Sequence, residues 1–240
     1  MGHWYATRIG LAPFLEEDLA ESSIGQDELG HARALFGLLG PERMPSATDF
    51  GSSALDALAY SRSAHEYRCA WFLERPTRSW EDTFVRHLLY DEAETVRWQA
   101  LTSSEWEGLA ELATRALLEE AFHTLHARSL FTRLMNGGEA SRQRLAASLE
   151  QSLASATMLF EVPTTDAVAV AEGLVVASTA ELGAQWRTEM QRLFDSVSLA
   201  ITWPAMSSAP QGRKGHRSRE FAAMLSEMTR VLALDPVARW

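Results

Sequence analysis

Cysteine is almost missing from this chain: Cys69 is the single example in 240 residues. That excludes an internal disulfide and a thiolate-built metal cage, and it points away from an oxidising compartment, so the cytoplasm is the expected location. Basic residues are also short, 22 Lys and Arg against 32 Asp and Glu, and the net charge of −10 is spread along the sequence. Such a distribution leaves no field to attract nucleic acid or an anionic membrane, and neither is an expected partner. Long apolar runs are lacking as well. The richest, AVAVAEGLVVAS at 167 to 178, is broken by Glu172 and falls short of the ~20 residues that span a bilayer, so it reads as a buried helix. The N-terminus has no basic flank leading into an apolar core, so no secretory signal is expected and the protein should stay where it is made. Strand-like alternation and low-complexity tracts are not found.

What the chain does have is apolar content of 46%, ample for a core, and helical punctuation. Pro13 and the acidic LEEDL suit a helix start, because proline tolerates the first turn and carboxylates favour the positive end of the helix dipole. Gly40-Pro41 suits its end. PERMPSATDFGSS, 41 to 53, reads as a loop, and 54 to 74 as a second helix stopped by Arg75-Pro76. Ser79 with Asp82, and Ser104 with Glu107, have the spacing of capping boxes that open a third and a fourth helix, the latter ending at Asn136-Gly137-Gly138. Helical patterning resumes over 139 to 160, breaks at Val162-Pro163, and continues in two shorter segments, about 165 to 178 and 180 to 200, before Trp203-Pro204. SSAPQGRKGHR, 207 to 217, reads as a loop, and the last helix puts Phe221, Met224, Leu225, Met228, Val231 and Leu232 on one face. The expectation is an all-α chain, one domain over 1 to 240, of about six to eight helices.

Polar residues interrupt three of the apolar stripes. The first long helix aligns Ile24, Glu28, His31, Leu35 and Leu38; the fourth aligns Ala113, Ala116, Glu120, His123, Ala127, Leu130 and Leu134. The third aligns Phe84, Leu88, Asp91, Thr95 and Trp98. Five ligand-type groups therefore point inward. An unbalanced interior carboxylate costs several kcal/mol, a large part of the ~5–15 kcal/mol stability of a domain. Two arrangements balance them: hydrogen-bonded ion pairs with interior arginines, or a bound divalent cation.

Carboxylate oxygen and neutral imidazole suit iron or manganese, and a three-residue spacing lets Glu and His of one helix converge on an ion. Glu-x-x-His on each of two helices, with one carboxylate from each of two more, is the di-iron carboxylate bundle pattern. With 23 Glu and 7 His, chance gives roughly 0.7 pairs at this spacing, and here two lie on apolar stripes. Asp91 lies 29 positions before Glu120, so the matching carboxylate for Glu28 falls before Met1. Only His3 is a ligand type ahead of the first long helix. The sixth ligand is then missing, supplied by a residue such as Glu21 or Glu94, or encoded upstream.

These residues resemble the ferritin-like subunits of the bacterial phenylacetyl-CoA epoxidase, a multicomponent ring-oxygenating enzyme, over most of the chain. LAPFLEEDLAESSIGQDELGHARALFGLL, LERPTRSWEDTFVRHLLYDEAE and GRKGHRSREFAAMLSEMTRVL look most like the smaller, PaaC-type subunit, described in that family as a non-catalytic scaffold. QDELGH and EEAFH look more like the catalytic, PaaA-type subunit, where such segments supply iron ligands. The resemblance implies a ferritin-like helical bundle with extra C-terminal helices, and it places Glu28, His31, Asp91, Glu120 and His123 on five iron-ligand positions, the sixth having no counterpart. It also implies iron, as a di-iron centre or an incomplete one, a homologous ferritin-like partner subunit, a reductase component, and an aromatic acyl-CoA whose ring receives one oxygen atom from dioxygen. Its alternative is a metal-free scaffold that supports a separate catalytic chain.

Three further features carry readings of both kinds. Arg213, Lys214, His216, Arg217 and Arg219 form the one basic cluster, either a solvated loop or a site for coenzyme A phosphates or an acidic partner. His126, one turn after His123, is either an orienting group for a ligand or a satisfied side chain. Of the eight tryptophans, which more often supply core area, Trp98 is the pocket candidate because it shares the Asp91 face.

Overall fold

A computed structural model describes residues 1–40, 54–205 and 212–235. The loop expected at 41 to 53, and the 207 to 211 part of the later loop, lie outside these residues. Among the described residues there are ten α-helices and no strand, as the all-α reading expects. They are α1 (Gly2–Ala6), α2 (Leu15–Gly37), α3 (Ala54–Tyr60), α4 (Trp80–Leu101), α5 (Glu107–Gly137), α6 (Glu139–Ala156), α7 (Asp166–Ala171), α8 (Thr179–Ser196), α9 (Phe221–Met228) and α10 (Arg230–Leu234). None is long and apolar enough to cross a membrane.

The helix α4 is the central rod, packed against α5, α6 and α8, while α2 lies along α5 and carries α1 on its other side. Its burial on nearly every side follows from a sequence with apolar residues around most of its circumference. The main core joins Phe84, Leu88 and Leu89 of α4 to Phe131, Leu149, Trp186 and Phe194. The fully buried Trp186 donates its indole N–H to the Leu89 carbonyl at 3.1 Å, so the ring fills space without orphaning its polar atom. A smaller apolar cluster holds Trp98, Leu112, Ala113 and Ala116, with Leu35 and Leu38 against it. On α5 the buried stripe thus runs from Ala113 and Ala116 in one cluster, through Glu120 and His123, to Ala127 and Leu130 in the other. Close approach of α1 depends on Gly25, where a Cβ would stand 2.7 Å from Tyr5 Cβ.

Several local expectations are corrected. Residues 54 to 74 are not one helix: α3 ends at Tyr60, and Ser63 opens a 3-10 turn whose Glu66 carboxylate accepts the Ser63 backbone N–H at 2.8 Å. The SAHE segment is a capping box, and it starts a new element where periodicity alone continues the old one. Ser79 does cap α4, accepting from Asp82 N at 3.1 Å. Ser104 instead bonds Trp106 N at 3.2 Å, and the next helix begins only at Glu107, without a side-chain cap.

The run AVAVAEGLVVAS is not a buried helix. The α7 helix covers only its first part and buries no residue, and Val168 and Val176 are exposed. Gly173, at φ +64°, turns the chain there, and Asp166 accepts the Thr179 N–H at 3.0 Å. The last helix splits at Thr229, which has left helical geometry (φ −102°, ψ 3°) while its hydroxyl bonds back to the Leu225 carbonyl at 2.8 Å. Val231 is consequently exposed rather than in the apolar face.

The basic cluster is not a solvated loop throughout. Arg217 pairs with the buried Glu74 at 2.6 Å, and Glu74 also accepts Ser218 N at 2.6 Å, so the C-terminal segment is clasped to the body. The Arg213 backbone N–H donates to Glu161 at 3.2 Å, and the charges left at the surface are Lys214, His216 and Arg219.

Candidate metal centre

Each of the five expected groups is buried. Among the described residues, Glu28 and His31 of α2 with Glu120 of α5 are the group whose ligand atoms all lie within 4.8 Å of one another. His123 flanks it, its Nδ1 3.5 Å from Glu120 Oε2, and His31 Nδ1 lies 3.6 Å from Glu120 Oε1. Asp91 faces elsewhere, with Oδ2 2.5 Å from His87 Nε2. The structure thus converges three of the five residues, sets His123 at their edge, and gives Asp91 a second neighbour.

The two Glu-x-x-His segments are joined by reciprocal contacts. His31 Nε2 meets Glu119 at 2.6 Å, while His123 Nε2 meets Asp27 at 3.2 Å. Each outer acid immediately precedes the inner glutamate of its own helix, so Asp27-Glu28 and Glu119-Glu120 are doublets in which one member faces inward and the other bonds the opposite histidine. An outer carboxylate fixes a proton on Nε2 and leaves the Nδ1 lone pair facing the centre, the arrangement expected of an oriented metal-ligating histidine. Tyr90 donates its hydroxyl to Glu28 Oε2 at 2.8 Å. Trp98 packs edge-on against His31, with ring centroids 5.4 Å apart.

The arginine explanation fails on geometry. Among the described residues no guanidinium forms an ion pair with Glu28, Asp91 or Glu120; the interior arginines are engaged elsewhere, Arg97 with Glu94, Arg128 with Glu92 and Arg217 with Glu74. Glu28 Oε1, His31 Nδ1, both oxygens of Glu120 and of Asp91, and His123 Nδ1 are buried without a hydrogen-bond partner. So many orphaned acceptors in one place fit a dication, which satisfies carboxylate oxygens and imidazole lone pairs together.

Electrostatics describe the same shortage. Burial, the largest influence, pushes Glu28 up to about 8, with Glu120, Glu94 and Asp91 adding repulsion and the amino terminus opposing it. Burial raises Glu120 to about 7, partly relieved by the adjacent His123, and carries Asp91 well above the usual carboxylate range. His123 resists charging through burial, yet the neighbouring Glu120, Asp91 and Asp27 prevail and lift it to about 9. His87 is held neutral, lowered to about 3 by burial and then by the His126 charge. A dication at the centre reverses the first set, ionising the carboxylates and releasing the imidazole protons.

Glu28 and His31 form part of the wall of a cavity of about 620 Å³ that Trp98, Tyr60, Phe221 and Met224 also line. Glu94, paired with Arg97, and His3 reach the same cavity, whereas Glu21 lies buried beside Glu17. Sequence reading missed Asp27, Glu119, Tyr90, His87 and Glu17. The acid doublets were the visible signal for the first two; the others pair across helices, and nothing in their own spacing announces the partner.

A helical bundle in which two rods each contribute a Glu-x-x-His segment and a third an interior carboxylate defines the ferritin-like class of all-α proteins. The whole chain, residues 1–240, matches the family model described as phenylacetic acid catabolic protein, and the chain belongs to that family. It is 26% identical over 240 residues to the C subunit of the 1,2-phenylacetyl-CoA epoxidase of Escherichia coli strain K12, an alignment that covers 100% of this chain and 92% of the relative.

Proposed function

We propose that this chain is a ferritin-like subunit of a multicomponent epoxidase acting on phenylacetyl-CoA or a related aromatic acyl-CoA in the cytoplasm, and that it holds iron of its own. The observation that carries the reading is the set of buried, unbonded ligand atoms on Glu28, His31, Asp91, Glu120 and His123 with no arginine to neutralise them. Bound iron supplies reductive activation of dioxygen for insertion into an aromatic ring, with electrons from a reductase component. The chain's own residues do the rest: Glu119 and Asp27 hold the two imidazoles in register, Tyr90 orients Glu28, and Trp98 with the apolar cavity wall keeps bulk water from the centre.

A second reading, a structural subunit beside a separate catalytic chain, is favoured by one observation. Leu15 and Leu19 of α2, and Leu118, Phe122 and Leu125 of α5, are exposed on the two helices that carry the site. Apolar side chains gathered on neighbouring helices suit a partner surface, and a homologous ferritin-like subunit is the proposed occupant. Metal content separates the readings. After anaerobic ferrous loading, wild-type protein should retain iron that Glu28→Ala and His31→Ala lose; wild type that retains none rejects the first reading. Co-purification with a second ferritin-like chain supports the structural role, and a lone monomer that captures none counts against it.

A further inference from the structure

A second group of ligand-type side chains lies on the far side of Asp91 from the Glu28, His31 and Glu120 triad. It comprises Glu17 of α2, His87 of α4 and His126 of α5. Glu17 and His87 are almost wholly buried. His126 Nε2 lies 3.0 Å from Glu17 Oε2, and His87 Nε2 lies 2.5 Å from Asp91 Oδ2. Neither approach is aligned as a hydrogen bond. Both oxygens of Glu17, both ring nitrogens of His87, both oxygens of Asp91 and Nε2 of His126 therefore remain buried polar atoms without a bonded partner. The His87 and His126 rings are near-parallel, 28° apart, with centroids separated by 5.9 Å.

We propose that Glu17, His87, Asp91 and His126 hold a second divalent transition-metal ion, with Asp91 standing between it and the first site. The donor set is two imidazole nitrogens and two carboxylates, which neutralises a dication and suits zinc, ferrous iron or cobalt. Two imidazoles on one tetrahedral ion have ring centroids about 5–6 Å apart, and the observed separation already meets that condition. His87 and Asp91 are four residues apart on α4, so both point to one spot. Glu17 has no hydrogen bond to hold it, and rotation of its side chain closes the set. Entry is open from one side: His126 lines a groove of about 630 Å³ between α2 and α5, which also reaches His123 and Glu119.

The competing arrangement is a pair of ordinary contacts, Glu17 with His126 and His87 with Asp91, that need no ion. Titration of the chelator-stripped full chain with cobalt(II), followed by visible absorption and by elemental analysis per chain, separates them. Wild type should bind two equivalents. Glu17→Gln and His126→Gln should each weaken one of them about tenfold or more, while sparing the equivalent lost in Glu28→Gln. His126 is partly exposed, so that variant keeps the fold; circular dichroism and thermal melting without metal check this, and metal should raise the melting temperature of wild type more than of either variant. Uptake and affinity unchanged in both Glu17→Gln and His126→Gln overturn the second site. One equivalent lost in Glu28→Gln alone leaves the first site standing and overturns the second; one lost in His126→Gln alone supports the second and overturns the first.

Discussion

Replacing Glu28 with glutamine should make the metal-free protein more stable in mild alkali and unable to gain from metal. Glu28 ionises only near 8 in the fold, because burial disfavours its charge, against 4.5 ordinarily. Since its folded pKa is raised and the group is an acid, the charge costs stability. That cost is absent below 4.5, grows as the pH rises, and is complete only above about 8. Between about pH 5.5 and about pH 8.5 the loss attributable to this one group comes to about 3 kcal/mol. Glutamine has no such titration and keeps an oxygen for the Tyr90 hydroxyl, 2.8 Å away in the wild type. Urea unfolding in chelator at the two pH values should therefore show wild type losing about 3 kcal/mol more than Glu28→Gln. Adding ferrous iron or cobalt(II) at a hundred times its dissociation constant should then stabilise wild type by about 2.7 kcal/mol and leave the variant unmoved. Parallel pH profiles for the two proteins would refute the account of a carboxylate stranded in a dry centre.

Other outcomes follow from single contacts. Arg217→Met strands the Glu74 carboxylate in the interior and should cost about 3–5 kcal/mol in urea unfolding, loosening the C-terminal segment first by hydrogen exchange. Trp186→Ala should cost about 3–5 kcal/mol by removing a fully buried ring from the main core, read as a fall in thermal midpoint. Gly25→Ala drives a methyl into Tyr5 and should cost about 1–3 kcal/mol, with protease sensitivity appearing first around α1. Asp27→Asn and Glu119→Gln leave the inner ligands in place and should weaken metal affinity about 10–100-fold, which isothermal titration can measure.

The three stripes of α2, α4 and α5 were legible because burial imposes the helical period on the sequence, and a Glu, His or Asp within such a stripe stands out by position alone. The convergence of Glu28, His31 and Glu120 was not legible in detail. Which groups meet depends on the axial register of α2 against α5, and that is set by packing in two apolar clusters, not by spacing within either helix. For the same reason Asp91 lies against His87, a neighbour on its own helix that no metal pattern singled out. The failures at 54 to 74 and at 167 to 178 have a different origin. Hydrophobicity measured along a segment says nothing of what covers it, so Val168 and Val176 look like core yet are exposed, and local hydrogen bonds at Ser63 and Asp166 decide where the helix stops.

Phe221, Met224 and Met228 line the cavity that Glu28 and His31 open onto. The floor of that chamber is translated near the beginning of synthesis and this part of its lining near the end. A nascent chain emerging in order from the ribosome therefore holds a partly assembled basin for most of its growth. The compartment reaches its final shape only when the Arg217 and Glu74 clasp seats the tail.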